Sequence, residues 1–305
     1  MVYPCHFKGA LVILAIDIGG TKIAAAHVVN GACIDRRQLP MPDTEAEFLQ
    51  TIARLATGRP LPSGIAVAVT GYVNGDRVQS FNHKTISFWD GFPLIPRLAQ
   101  LLGAPVVAIN DAQAAAWGEY CLRKASCQDL LFMTLSTGVG GGLVLGGTLR
   151  EGSHGLAGHI GHVAIDVPPI DAPSMCGCGR LGCLEAIASG TALARQASHR
   201  FGRSMTSSEL LDSARGGDAL ALDIVQRASH AVASAIASAH AQLDLQVLVL
   251  GGSVGLAPNM LNWIESALHR YPAVYHVRVE RATLGADAGM LGAAAWFQDQ
   301  RGGDY

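Results

Sequence analysis

The chain has 305 residues, half of them hydrophobic and 15% charged, with a formal net charge of -2. That length allows about two domains with sizeable cores, and the composition is too apolar for a disordered protein. The 22 lysines and arginines are scattered, with no run able to track a phosphate backbone, so nucleic-acid binding is excluded as a function class.

Residues 1–9, MVYPCHFKG, carry no pattern and read as a disordered tail. The apolar run Ala10–Ile16 loosely imitates a signal peptide, but it is too short to span a membrane, lacks a convincing cleavage site and leads straight into Asp17-Ile-Gly-Gly-Thr. No membrane partner is expected. Leu11–Ile18 and Ile23–Val29 read as the strands of a β-hairpin. Around its turn stand Ala15, Ile16, Asp17, Ile18, Gly19, Gly20, Thr21 and Lys22, a candidate phosphate-binding set. The glycines and Thr21 offer backbone N–H groups and a hydroxyl to phosphates, while Asp17 can hold Mg2+ through water. Alone, such a stretch is as well explained by a plain glycine hairpin.

Further along, Ile65–Val69 reads as a strand leading to Thr70-Gly71, and Pro105–Ile109 as another ending at Asn110-Asp111, with a helix over Ala112–Tyr120. Asp111 thus falls at the C-terminal end of a strand and the start of a helix, where α/β folds place ligand-handling groups and where a carboxylate stays ionised as a proton acceptor. The plain alternative is a helix cap. Between these strands, Ser80–Leu94 mixes polar groups with aromatics, of which Trp89 and Phe92 are expected to pack.

Leu130–Ser136 is again an apolar strand, followed by Thr137, Gly138, Val139, Gly140, Gly141 and Gly142 and a return strand from Leu143. Two glycine-rich hairpins about 120 residues apart suggest a duplicated domain with a phosphate loop in each copy, the actin-like kinase and ATPase architecture. A third glycine turn, Gly251-Gly252-Ser253, follows the strand Gln246–Leu250 and opens a helix from Ala257. It suits adenosine or phosphate, or is an ordinary strand-to-helix connection. Ala186–Ala197, Ser207–Ala214 and Ala219–Leu243 read as scaffold helices whose small-residue faces allow close packing, and Asp287–Phe297 as a closing helix.

The most committed stretch is Gly158–Glu185. Cys176, Cys178 and Cys183 form C-x-C-x4-C among glycines that let the backbone aim three sulfurs at one point. His162 is the better fourth ligand, His159 the alternative, and Cys3His is a closed tetrahedral set for structural Zn2+. The dry reading is three buried thiols; disulfides at this spacing would be strained. The other cysteines, at 5, 33, 121 and 127, are irregular and read as reduced thiols in a cytoplasmic protein.

Gly155-x-x-Gly-His-Ile-Gly-His162 followed by CGCGRLGCLE resembles the zinc signature of the ROK family of repressors and sugar kinases, and with the glycine hairpins the match runs from about residue 14 to about 297. The resemblance implies a two-domain actin-like (ribonuclease H-like) α/β fold with a structural zinc loop. Domains would cover 1–115 and 116–305, with a cleft between them and the last helix returning to the first. It implies His162, Cys176, Cys178 and Cys183 as zinc ligands and Asp111 as catalytic base. Gly71, Asn110, His159, His162 and Glu185 would bind the sugar, with Asn82 or Thr85. Gly251 and Gly252 would lie against ATP, which arrives with Mg2+. The reaction would be phosphoryl transfer from ATP to the 6-hydroxyl of a hexose-type sugar. The branch most resembled phosphorylates the amino sugar N-acetylmannosamine, in sialic acid catabolism, as a homodimer.

One departure bears on the substrate. Many ROK glucokinases carry Glu where this chain has His159, and an imidazole cannot reproduce a carboxylate's pair of acceptors. A general hexose kinase is the alternative. So is a sugar-responsive regulator, although the family's regulators carry an N-terminal helix-turn-helix domain and only about ten residues precede the first strand here.

Overall fold

The computed structural model describes residues 11–58, 62–81, 86–166 and 175–302. Residues 1–9, Asn82 and Thr85 lie outside them. The chain divides into two units, one built from residues up to Ser126, from Leu149–Ala157 and from Leu284 onward, the other from Cys127–Thr148 and Gly158–Thr283.

In the first unit, β1 (Ile13–Ile18), β2 (Lys22–Val29) and β3 (Ala32–Pro40) form an antiparallel meander, followed by α1 (Glu45–Ala56). Next, β4 (Gly64–Val69) lies parallel beside β1, and every one of its residues is buried, as expected of a central strand covered on both faces. The short hairpin of β5 (Tyr72–Asn74) and β6 (Arg77–Gln79) and the helix α2 (Leu94–Leu102) lead to β7 (Val106–Asn110) and α3 (Asp111–Cys121). The sheet order is β3-β2-β1-β4-β7.

In the second unit, β8 (Leu130–Leu135) and β9 (Val139–Leu145) are antiparallel, and β10 (Thr148–Arg150) carries the chain back toward the first unit. After Gly158 come α4 (Leu184–Ala188), α5 (Gly190–Phe201), α6 (Ser207–Arg215) and the 25-residue α7 (Ala219–Leu243). The unit ends with β11 (Val247–Gly251), α8 (Met260–Leu268) and β12 (Arg278–Arg281). The order β10-β9-β8-β11-β12 repeats, strand for strand, that of the first sheet. This is the duplicated actin-like arrangement that the two glycine hairpins imply.

The last helix, α9 (Ala288–Gly302), belongs to the first unit. Small residues let it sit close: a Cβ on Gly292 would overlap the Ala114 carbonyl of α3, and one on Gly64 the Phe297 ring. Glu119, fully buried on α3, accepts the Leu284 N–H (2.8 Å) and pairs with Arg123 (2.6 Å), pinning the segment that leads into α9.

Three local readings of the sequence need correcting. Gly140, Gly141 and Gly142 lie inside β9 rather than in its turn. Glycine is demanded at 141 by packing, since a Cβ there would overlap the Gly158 carbonyl and come within 2.8 Å of Ile160 Cγ2. The helix read as Ala186–Ala197 is two, broken at Ser189, whose extended backbone (ψ 157°) makes it the end of α4 and whose hydroxyl caps α5. Finally, α8 starts at Met260 because Asn259 is left-handed (φ 68°).

Candidate active site

In the first unit, Ala15, Ile16, Asp17 and Ile18 stand in β1, paired with Ala66–Val69 on one side and with β2 on the other. Ala15, Ile16 and Ile18 are therefore core side chains, and only Asp17 of the four offers a polar group. The turn beyond is closed by the Gly19 N–H donating to the Lys22 carbonyl (3.0 Å), which leaves Thr21 and Lys22 exposed. Burial raises the Asp17 carboxyl above its ordinary pKa; Lys22 and Arg36 oppose that shift, and Asp287 adds to it. Arg36 is in turn paired with Asp287 (3.2 Å). Gly289, in the first turn of α9, lies so close that a Cβ would stand 3.9 Å from Asp17 Cγ.

The end of β7 delivers Asn110 and Asp111 to the start of α3. The cap is Asn110, whose Oδ1 accepts the N–H groups of Ala112 (2.9 Å) and Gln113 (3.1 Å), so Asp111 is the first helical residue and not the cap. The Asn110 Nδ2 donates to the Gly71 carbonyl (2.7 Å) and to Asp111 Oδ1 (2.9 Å). Two donors and two acceptor lone pairs are thereby filled. In this structure Asn110, the expected sugar ligand, holds Asp111 and Gly71. Gly71 must be glycine, since φ is +94° and a Cβ would overlap the Gln79 carbonyl.

Asp111 retains some solvent access but is densely surrounded by protein. Its pKa is pushed up to about 7, first by burial and then by the neighbouring Asp17 carboxylate, against the pull of the Ala112 N–H (2.8 Å) and the Asn110 amide. A buried carboxyl whose ionisation is further opposed by a neighbouring carboxylate is a candidate for proton transfer.

In the second unit, the turn between β8 and β9 spans Ser136–Gly138, closed by the Ser136 N–H donating to the Gly138 carbonyl (2.9 Å). Thr137 is held from behind by the start of α5: Thr191 Oγ1 donates to its carbonyl (2.9 Å), and the Gly190 N–H donates to that of Ser136 (2.7 Å). Gly252 (φ 84°) presses on the Leu135 carbonyl, where a Cβ would overlap, and Ser253 Oγ lies 3.2 Å from Ser136 Oγ. The second glycine hairpin and the Gly251-Gly252 segment are thus one surface. Ser136, Thr191 and Ser253 were not singled out from the sequence; the signal available was their place beside glycine turns.

Gly158–His162 and Glu185 pack against that hairpin. His162 closes a 3₁₀ turn, Ile160–His162, preceded by His159, both of whose ring nitrogens are shielded from solvent. His162 Nδ1 is 3.6 Å from Cys176 Sγ, and Cys178 Sγ is 3.7 Å from Cys183 Sγ. All four donor atoms lie within 4.8 Å of one another. A tetrahedral zinc with bonds of about 2.3 Å to sulfur and about 2.0–2.1 Å to nitrogen requires donor-to-donor edges of about 3.5–3.8 Å, so the set fits the ion. The same separations are far from a disulfide bond of about 2.05 Å. His162 is the histidine this geometry selects as fourth donor, and four donors leave no open position.

Glu185, in the first turn of α4, joins the cysteine cluster to the hairpin. Its Oε2 accepts the Val139 N–H (3.0 Å), and its Oε1 is 3.6 Å from Cys176 Sγ. Gly138 makes room for it, since a Cβ there would stand 2.6 Å from Oε2.

The ROK family's sequence profile matches residues 13–300. An N-acetylmannosamine kinase of Vibrio cholerae serotype O1 is 42% identical over 290 residues, covering 94% of this chain and 99% of its own. Among solved structures, a ROK hexokinase from Thermus thermophilus is 31% identical with a TM-score of 0.82, covering 95% of this chain and 100% of its own. A ROK family glucokinase from Streptomyces griseus, solved in complex with glucose and AMPPNP, is 30% identical with a TM-score of 0.78, covering 93% and 98%.

Proposed function

The chain belongs to the ROK family, and from that premise, with a Vibrio relative named N-acetylmannosamine kinase, we propose that it transfers the γ-phosphoryl group of ATP to the 6-hydroxyl of N-acetylmannosamine. Asp111 is the observation that carries the reading. Its carboxyl stands just past the C-terminal end of β7, at the start of α3, with a pKa near 7, so at neutral pH about half of it is ionised and that carboxylate is basic enough to take a hydroxyl proton. As the proton moves to Asp111, the sugar O6 forms its bond to the γ-phosphorus, the bond from that phosphorus to the β-bridging oxygen breaks, and ADP leaves.

Phosphoryl transfer passes through a loose transition state, so the protein's part is positioning and charge neutralisation. In the first unit, the N–H groups of Gly20 and Thr21 would be offered to phosphate, the Gly19 N–H being spent on the Lys22 carbonyl, and Asp17 would hold, through water, the Mg2+ that accompanies ATP and neutralises its charge. In the second, Thr137-Gly138 and Gly251-Gly252 take the nucleotide. His162, Cys176, Cys178 and Cys183 would hold a structural zinc, whose role is to fix the fold of its loop. The loop then carries Glu185 and His159 to the sugar. His159, with one donor and one acceptor when neutral, pairs with an acyl-amide at C2 better than with the hydroxyl of glucose.

Among the described residues no helix is long and apolar enough to cross a membrane; a cytoplasmic homodimer with reduced cysteines fits the reading. The test is a coupled ATP-consumption assay over a panel of hexoses and N-acetylhexosamines. N-acetylmannosamine should give the highest kcat/KM. Turnover of none of them would end the kinase reading, and equal efficiency on glucose would make the enzyme a general hexokinase.

A further inference from the structure

One buried polar side chain in the first unit has no part in the chemistry above. Gln113 lies two residues after Asp111 on α3 and is 2% exposed. Its Nε2 reaches three backbone carbonyls, those of Ala157 (3.0 Å), Glu151 (3.4 Å) and Gly155 (3.4 Å). All three partners are acceptors, so the amide is oriented with its NH2 toward them. Two protons serve three oxygens, and the segment 151–157 is drawn around a single side chain. Within it, the Ala157 N–H also returns to the Glu151 carbonyl (3.0 Å), closing the loop on itself.

The other side of this loop is fixed as well. Gly155 has φ +77° and sits so tightly against the Val73 carbonyl of β5 that a Cβ would overlap it. Val73 follows Gly71, whose own carbonyl is held by Asn110. The first turn of α3 therefore fixes three things at once: Asp111 itself, the backbone at Gly71 through Asn110, and the backbone at 151–157 through Gln113. The last of these ends one peptide before Gly158, where the chain enters the Gly158–His162 segment.

We propose that Gln113 is a positioning residue for sugar binding: by gathering the carbonyls of Glu151, Gly155 and Ala157, it fixes the end of the segment from which the chain runs on into Gly158–His162. This rests on the reading of the protein as a sugar kinase. An unanchored loop leaves that segment to be ordered by the sugar itself, and the ordering appears as weaker sugar binding. The chemical step and the nucleotide contacts have no reason to change.

The variant is Gln113→Met, which keeps an unbranched chain of similar volume and removes the N–H donors. Gln113→Asn is its conservative counterpart, with the NH2 retained one methylene short. Steady-state kinetics should show the sugar KM raised tenfold or more in the Met variant, with kcat within about threefold, ATP KM unchanged and a partial return in the Asn variant. Hydrogen exchange should be faster at Ala157 and its neighbours, and unaltered in β1 and β4. A merely structural role would lower the unfolding temperature and the yield of active enzyme while leaving the sugar KM in place, and that result overturns the proposal. So does unchanged exchange over 151–157. Should the wild type phosphorylate no sugar in the same assay, the kinase reading falls and this inference with it. Faster exchange with an unmoved sugar KM removes the inference alone.

Discussion

Replacing Asp111 with Asn should separate function from stability in opposite directions. The wild-type carboxyl has its pKa raised from 3.8 to about 7 in the folded protein. The unfolded chain therefore loses its proton first as pH rises, and folding stability contributed by this group declines between about pH 4 and about pH 7. A shift of about 3 units corresponds to at most about 4 kcal/mol, and relaxation around a group with some solvent access reduces this to about 1–3 kcal/mol. An asparagine keeps the shape and the bond from the Ala112 N–H while removing the charge that faces Asp17. Thermal unfolding without added magnesium should show Asp111→Asn melting several degrees above wild type at pH 8, and level with it near pH 4. Turnover should fall by about 10²–10⁴, the usual worth of a general base, while calorimetry still detects sugar binding. In the wild type, kcat/KM should climb with pH and level off above about 7. A variant whose advantage over wild type is no larger at pH 8 than at pH 4 would refute the account of the raised pKa, and near-normal turnover would remove Asp111 as base.

Elemental analysis should find about one zinc per chain, and Cys178→Ser should lose it together with much of the sugar affinity, because metal-binding free energy at a closed site is folding free energy; a metal-free, fully active protein contradicts this. Gly292→Ala forces a methyl onto the Ala114 carbonyl, backbone that cannot swing away, so urea unfolding should show a loss of about 1–3 kcal/mol, and an unchanged midpoint would mean that α3 and α9 are not so closely apposed. His159→Glu should move kcat/KM from N-acetylmannosamine toward glucose by tenfold or more, measured on both sugars with one preparation; an unmoved ratio would leave His159 without a part in specificity.

What the sequence made legible was whatever is written in local chemistry. Apolar runs ending in glycines announced β1, β8 and β11, and cysteines at positions 176, 178 and 183 announced a cluster whose donor atoms do come together. The scaffold helix α7 was read to its ends, because Asp218 is a good N-cap and its apolar periodicity is unbroken. Elements whose pattern is set by what covers them were not seen. The exposed and polar β3 exists because β2 offers it an edge, and β5–β6 are three residues each. For α1 a signal did exist: Thr44 and Glu47 stand at capping-box spacing, with the Thr44 hydroxyl donating to Glu47 (2.9 Å) and accepting its N–H (3.4 Å).

The site itself divides the same way, and for a physical reason. Residue type reveals what a side chain can do, so Asp17, Asp111, His162, Glu185 and the three cysteines could be named in advance. It does not reveal whether that capacity is already used. Asn110 could be named as a polar group beside Asp111, without any sign that its two donors and two lone pairs are engaged with Gly71, Asp111, Ala112 and Gln113. Glycines hide a second demand: Gly141 reads as part of a phosphate loop, and a Cβ there would also strike the Gly158 carbonyl, so packing requires glycine at this position as well. Gln113 passed as one more helical residue, because the carbonyls that give it a purpose lie about forty residues further along the chain. Groups that react are read from their own identity; groups that hold them in place are defined by partners that only the fold brings near.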